Sequence, residues 1–475
     1  MNHQMCEAFP LRITLEEAGL SEPRLARFFA TINEQHLDLN SLLLLKGGKL
    51  AFEYHAYPYD PDTPRASFSA IKAFIALAVG ITVDRGRLDV DERILDIFSE
   101  YHVANPSTNL QRMTVRHLLT SSTGHDGPAL QWVPDDCDNI VTWFLQQDVP
   151  FPPGERCRYE NPCFLILSYI LIRRNACSVQ QLLEDELFHK IGMGKVGWIT
   201  RRPDDIILGI QATPRDYARI GVLLQHYGYW GAEQVVSERW LRAATSKQVL
   251  YPEGRRASWY GYLLWCDNIG GFSAVGDHGQ RILVLPERDL VIVMTGTEPQ
   301  HGKLYDAFVT FLIDKEEHDL ANGALLDEVL TANRPMSHTP TLPKTAHDIS
   351  GVVYRFSPQE YSSPSELQFH FDGSDTFLLD IGNAEGRHDR LRGALNGTFH
   401  IGTVSPENVF GFQQNNYTET EVAVRGQWTS DSVFECEIRP LRYGMAYHYV
   451  LTVHDGGVQL YCRMNRRTET LNSLE

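Results

Sequence analysis

Two β-hairpin signatures bracketing a long helical stretch, followed by a tail with apolar residues at every second position, predict an α+β protein. The expected architecture is an antiparallel sheet flanked by helices, then a C-terminal all-β barrel or sandwich. In the first hairpin, Ser41–Lys46 and Lys49–Ala56 are apolar runs meeting at Gly47-Gly48. In the second, Arg281-Ile-Leu-Val-Leu-Pro and Leu290-Val-Ile-Val-Met-Thr-Gly flank the turn-rich Glu287-Arg-Asp. Between them, helical patterns fall near 69–85, 114–121, 139–147, 162–174, 179–189, 214–227 and 237–245, and another lies near 303–314. Thr213-Pro-Arg-Asp reads as a helix start with Pro at the first helical position, which gives that segment a structural role in the cleft wall.

The texture changes after the Pro- and Thr-rich stretch that begins at Arg334. Residues 1–335 are therefore expected to form one domain, 336–347 a linker and 348–475 an all-β accessory domain. In that tail the alternating sets are Leu367, Phe369 and Phe371; Phe434, Cys436 and Ile438; Tyr447, Tyr449, Leu451 and Val453; and Val458, Leu460, Cys462 and Met464. The last two sets are separated by His454-Asp-Gly-Gly457, a hairpin turn.

Composition narrows the function. A net charge of −17 over 475 residues, with no basic run longer than Arg173-Arg174 or Arg466-Arg467, argues against nucleic acid and anionic membrane as partners. Small molecules or proteins are the expected partners. The N-terminal stretch has no basic segment followed by an apolar one, and no run reaches about 18 uncharged apolar residues. A cytoplasmic location is expected. The eight cysteines show no Cys-x-x-Cys pair and no scaffold-like density, so they read as reduced thiols. No cluster with metal-ligand spacing occurs, and neither a metal nor another cofactor is implied.

The most informative local feature is Ser69-Ala-Ile-Lys72 at the mouth of the apolar run Ala73–Ile81. Positions i and i+3 of a helix share a face, so this serine and lysine can touch. A serine hydroxyl becomes a useful nucleophile when a base takes its proton, and an amine can be that base once burial lowers its pKa by roughly 3 units. A bare Ser-x-x-Lys arises by chance about once in a chain this long, and a serine opening a helix is more often an N-cap. Context decides between these readings. Four further stretches supply it: Met113–Gly124, Pro153–Asn161, Gly209–Gly221 and Gly276–Pro286.

Together these residues resemble the serine β-lactamase and penicillin-binding-protein superfamily, in its branch of carboxylesterases, D-amino-acid amidases and 6-aminohexanoate-dimer-hydrolase-like enzymes, over about residues 12 to 315. The family's Ser-x-x-Lys, Tyr-x-Asn and strand-borne Lys-Thr-Gly or His-x-Gly-like motifs are matched by Ser69-Ala-Ile-Lys72, Tyr159-Glu-Asn161 and Asp277-His278-Gly279. The resemblance implies a β-lactamase/transpeptidase-like fold and a cofactor-free acyl-serine mechanism on a small ester or amide. Ser69 would be the nucleophile, and Lys72 and Tyr159 would share proton transfer, with the choice of base left open. Asn161 would orient Lys72 or the substrate amide. The oxyanion would rest on the Ser69 and Gln280 backbone N–H groups, with Gly279 letting the strand approach substrate and His278 beside it.

Asp277 departs from the penicillin-recognising relatives, which carry a lysine at this motif. An acid there would repel a substrate carboxylate or attract an amine, unless strand alternation turns it away from the cleft. No glutamate-bearing deacylation loop is identifiable, which also argues against β-lactams. Gly271-Phe-Ser-Ala-Val275 lacks the second glycine of a nucleophile elbow. Two alternatives to hydrolysis stand: acyl transfer from the same acyl-enzyme, and a silent binding or scaffold protein of the same fold. Self-association through the terminal β-domain is a further option.

Overall fold

The computed structural model describes residues 9–126, 133–134, 137–201, 206–251, 257–298, 302–313, 325–332, 337–358, 363–405, 408–410, 420–455, 457–464 and 467–474. Residues 334–336 at the start of the Pro- and Thr-rich stretch, of which 336 opens the expected linker, Gly456 of the hairpin turn and residue 314 of the last helical pattern lie outside them. The chain divides into two compact units. The first comprises residues up to Ala18, Leu42–Glu53 and Ser67–Met294; the second comprises Gly19–Ser41, Tyr54–Ala66 and Thr295 onward.

The first unit is built on an eight-stranded sheet. Its strands are β1 (Leu39–Lys46), β2 (Lys49–His55), β3 (Val249–Leu250), β4 (Ala257–Tyr260), β5 (Trp265–Asp267), β6 (Phe272–Val275), β7 (Arg281–Leu285) and β8 (Leu290–Gly296), in the order β2-β1-β8-β7-β6-β5-β4-β3. Both expected hairpins are present, and β3 through β8 pair antiparallel with their neighbours.

Helices run between the hairpins at 71–84, 115–119, 140–145, 161–175, 179–183, 214–225 and 238–244, close to the positions the apolar spacing indicates. Two of them carry the core. In α2 (Ile71–Asp84) every residue from Ile71 to Thr82 is buried, and in α3 (Asn161–Asn175) nearly all of the first eleven are. Helices apolar on every side belong in an interior. α4 (Pro214–Gln225) starts as its sequence indicates. Thr213 caps it, its hydroxyl accepting from the Asp216 N–H at 3.1 Å while the Asp216 carboxylate accepts from the Thr213 N–H at 3.4 Å. No single helix among the described residues is long and apolar enough to cross a membrane.

The second unit contains α1 (Glu22–Glu34), α5 (Lys303–Phe308) and a ten-stranded sheet. Ring contacts join α1 to this unit, Phe28 to Phe308 at 6.1 Å and Phe29 to Tyr54 at 4.6 Å. The strands are β9 (Val353–Arg355), β10 (Glu366–Phe371), β11 (Thr376–Gly382), β12 (His388–Ala394), β13 (His400–Val404), β14 (Thr420–Ser430), β15 (Val433–Pro440), β16 (Tyr447–His454), β17 (Gly457–Met464) and β18 (Arg467–Asn472). They form one path, β9-β10-β11-β12-β14-β15-β16-β17-β18, with β13 paired to β14. This is a single curled sheet, a half-barrel, and not the sandwich that alternation equally allowed. The alternating sets face inward: Leu367, Phe369, Phe371, Phe434, Ile438, Tyr447, Tyr449, Leu451, Val458 and Leu460 share one apolar cluster. The β16–β17 register pairs His454 with Gly457, so the loop between them has two residues.

Candidate active site

The site begins where the chain turns into α2. Ser67 anchors the turn on the strand Ile206–Ala212: its N–H donates to the Ile210 carbonyl at 2.8 Å, and its hydroxyl accepts from the Ile210 N–H at 3.0 Å. Phe68 then takes φ +46°, a left-handed conformation that is unusual for a bulky residue. A single 3₁₀ turn, Phe68–Ala70, leads into the helix, so Ser69 is half-buried in the turn and is not the helix N-cap.

Lys72 lies one turn further on and is 2% exposed. Its Nζ donates to Ser69 Oγ at 3.2 Å and to Asn161 Oδ1 at 2.7 Å. The rest of its surroundings is aromatic, with the Tyr159 and Phe164 ring centroids at 4.6 and 4.5 Å. Burial pulls the ammonium down to about 7, against the partial opposition of the Cys163 thiol and the Asp277 carboxylate.

Tyr159 and Asn161 reach Lys72 from the start of α3. Glu160 is the N-cap residue and is extended, at φ −129° and ψ 129°, so its neighbours at 159 and 161 point one way and its own side chain the other. The Glu160 carboxylate turns inward, accepting from Thr123 Oγ1 at 3.0 Å, with His125 Nδ1 at 2.9 Å from the same hydroxyl. The Met113–Gly124 stretch thereby gains a physical role. Its carbonyls at Ser121, Ser122 and Gly124 accept from the N–H groups of Arg158 (2.8 Å), Gly154 (2.7 Å) and Phe151 (3.1 Å), docking the segment that carries Tyr159. Burial also pushes the Tyr159 phenol up, reinforced by Asp277 and Tyr251, while a hydrogen bond with Ser69 acts the other way. The phenol is thus held protonated at neutral pH and the lysine is poised near neutrality.

The third motif is not on a strand. Asp277–Gly279 form a tight 3₁₀ turn between β6 and β7, with His278 at φ +61° and Gly279 at φ +92°. The strand-alternation argument about Asp277 therefore does not apply. The close approach to the nucleophile segment is made by Gly276, where a Cβ would stand 2.2 Å from the Ser67 carbonyl oxygen. The two turns are also locked by rings, Phe68 meeting His278 edge-on at 4.9 Å. Gln280 is buried, and its N–H is 3.4 Å from the Asp277 carbonyl, a long bond that commits the donor weakly.

An aromatic wall that motif reading did not find completes the site. Trp265 stacks on Tyr159 at 5.4 Å and 25°, and Tyr251 and Tyr260 meet the indole edge-on at 5.0 and 4.9 Å. The signal available was the aromatic run Trp259-Tyr-Gly-Tyr-Leu-Leu-Trp265. Among the described residues no group of His, Cys, Asp and Glu is placed to hold a metal ion.

Residues 25–311 match the family model described as Beta-lactamase. A 6-aminohexanoate-dimer hydrolase of Paenarthrobacter ureafaciens is 23% identical over 324 residues, covering 62% of this chain and 79% of the relative. Two solved structures share the fold. A candidate β-lactamase from Bacteroides dorei DSM 17855 has a TM-score of 0.52 at 17% identity, over 62% of this chain and 99% of its own. EstCE1, a hydrolase with promiscuous acyltransferase activity, has a TM-score of 0.51 at 13% identity, over 62% and 99%. With a family match across more than half its length, the chain belongs to the Beta-lactamase family.

Proposed function

We propose that this protein is a serine hydrolase that cleaves a small ester or amide through an acyl intermediate on Ser69. The observation that carries the reading is the buried Lys72 amine, 3.2 Å from the Ser69 hydroxyl and drawn by its surroundings to about 7. An amine so placed is half deprotonated at neutral pH and can serve as a base.

In the first step Lys72 takes the Ser69 proton as Oγ bonds to the substrate carbonyl carbon. The carbonyl oxygen becomes an oxyanion, for which the Ser69 and Gln280 N–H groups are the assigned donors. The carbonyl–leaving-group bond then breaks. The departing alcohol or amine receives the Tyr159 proton, and the Lys72 ammonium restores the phenol. Water repeats the sequence on the acyl-enzyme and frees Ser69. Asn161 holds the lysine through its 2.7 Å bond throughout. Transfer to an alcohol or amine differs only in the second nucleophile, and the promiscuous acyltransferase activity of EstCE1 favours testing it.

The test is intact mass with peptide mapping after exposure to a fluorophosphonate. A single adduct on Ser69 in the wild type, absent from Lys72→Ala, is expected. No adduct in folded protein would favour the silent-scaffold alternative.

A further inference from the structure

On the side of the α3 cap away from Tyr159 and Asn161 lies a polar network that the reaction sequence above does not use. Thr123, His125 and Glu160 are all buried, the last at 1% exposure. The Thr123 hydroxyl donates its one proton to Glu160 Oε2 at 3.0 Å, so His125 Nδ1, 2.9 Å from the same hydroxyl oxygen, is the donor to it. Glu160 is the N-cap residue of α3, yet its carboxylate makes no capping bond to the helix. Its own N–H is a weak anchor, 3.5 Å from Ser121 Oγ. Glu160 Oε1 and His125 Nε2 have no protein partner among the described residues. Buried polar atoms left without partners cost about 1–3 kcal/mol each, so an apolar filling would stabilise this interior better. What the network supplies instead is a fixed position for the cap.

We propose that Glu160 is a positioning residue, held by Thr123 and His125, that fixes the cap from which Tyr159 and Asn161 reach Lys72. Because the cap is extended, a rotation at 160 swings both neighbouring side chains together. A phenol displaced by about 1 Å loses on the order of 10²-fold in a well-aligned proton transfer. The step most exposed to such a shift is the passage of the Tyr159 O–H proton to the leaving oxygen as the carbonyl–oxygen bond breaks. The alkoxide of an alkyl ester needs that proton, and a p-nitrophenolate departs without it. This inference rests on the hydrolase reading above and adds to it the residues that align its acid.

The readout is the ratio of kcat/KM for ethyl acetate to that for p-nitrophenyl acetate within each variant, in which a general loss of active protein cancels. Relative to the wild type, the ratio is expected to fall by about 10²-fold in Tyr159→Phe and by about tenfold in Glu160→Ala. In Glu160→Gln, which keeps an acceptor for the Thr123 hydroxyl, it should fall by less than about threefold. Thr123→Val, which removes the hydroxyl at similar shape, should lower the ratio in the same direction and carries the test if Glu160→Ala does not fold. Adding Glu160→Ala to Tyr159→Phe should lower it no further, since the proton it aligns is gone. A ratio unchanged in both Glu160→Ala and Thr123→Val overturns the positioning role, as does one that Glu160→Ala lowers equally with and without the Tyr159 hydroxyl. A Ser69 fluorophosphonate adduct in the same protein then leaves the hydrolase reading intact. Equal loss on both esters with a lower Tm would make the network a matter of stability alone and also overturns the role. Wild-type protein that forms no Ser69 adduct and hydrolyses neither ester overturns both readings.

Discussion

At the scale of single residues the site turns on two protons held at different strengths by the same burial. Because Lys72 acts as a base only when neutral and burial brings it to about 7, kcat/KM for a neutral ester is expected to rise through about pH 7 and then level off. Below that point it should fall tenfold per pH unit; a profile flat from pH 5 to 9 would remove Lys72 from the role. Substitutions divide the work. Ser69→Ala should reduce ester turnover below detection, and Tyr159→Phe, which keeps the ring on Trp265 but removes the hydroxyl, should cost at least about 10²-fold. Lys72→Met tests function against stability. Holding an amine at about 7 instead of its ordinary 10.5 opposes folding by about 4 kcal/mol at neutral pH, so the isosteric thioether should abolish turnover while keeping or raising Tm. Inactivity with a lower Tm would mean the amine contributes to stability.

Elements explain which of these residues could be read in advance. Ser69 with Lys72, and Tyr159 with Asn161, are pairs whose geometry follows from one helical turn and one extended cap, so spacing along the chain already carries their proximity. Trp265 and Tyr251 join the site from the far part of the sheet, and no local spacing records that approach. The Asp277 motif was legible as a motif but not as a turn, because two consecutive residues at positive φ include His278, which carries no glycine-like signal. α1 does have a readable start, Ser21 as N-cap with Pro23 in the first turn, but it lies outside the helical span between the hairpins. The β6–β7 turn offers a test at this scale. Gly276→Ala places a methyl 2.2 Å from a backbone oxygen that cannot rotate aside, so it should lower stability by about 1–3 kcal/mol in urea melts and displace the nucleophile turn. Wild-type stability together with wild-type turnover would show that the two turns are not locked as described.

At the scale of the whole chain, the second unit joins residues from near both ends of the sequence, and a small, partly buried ionic cluster shows how. Arg439 on β15 donates to Asp38 at 2.9 Å and to Glu437, while Thr297 Oγ1 donates to the other Asp38 oxygen. Burial alone would raise the Asp38 and Glu437 carboxyls, but Arg439 outweighs it, with Arg425 also acting on Glu437, and both are held below their ordinary values. Since their folded-state pKa values are the depressed ones, the stability they contribute is present above about pH 4 and is lost as pH falls through those lowered values. Arg439→Met leaves two carboxylates without their main partner. It should destabilise the protein by about 3–5 kcal/mol at pH 7 and by less as the pH falls through those lowered values and the carboxylates take up protons. A loss that does not shrink as the pH falls would mean that Arg439 acts through packing and not charge. The same cluster bears on the expectation that residues 1–335 form one domain. A chain ending at 335 retains Asp38, Thr297, α1 and α5 but has no Arg439 and no half-barrel. It is expected to be insoluble or to melt well below the full chain, and a soluble truncation with wild-type Tm would support the independent domain.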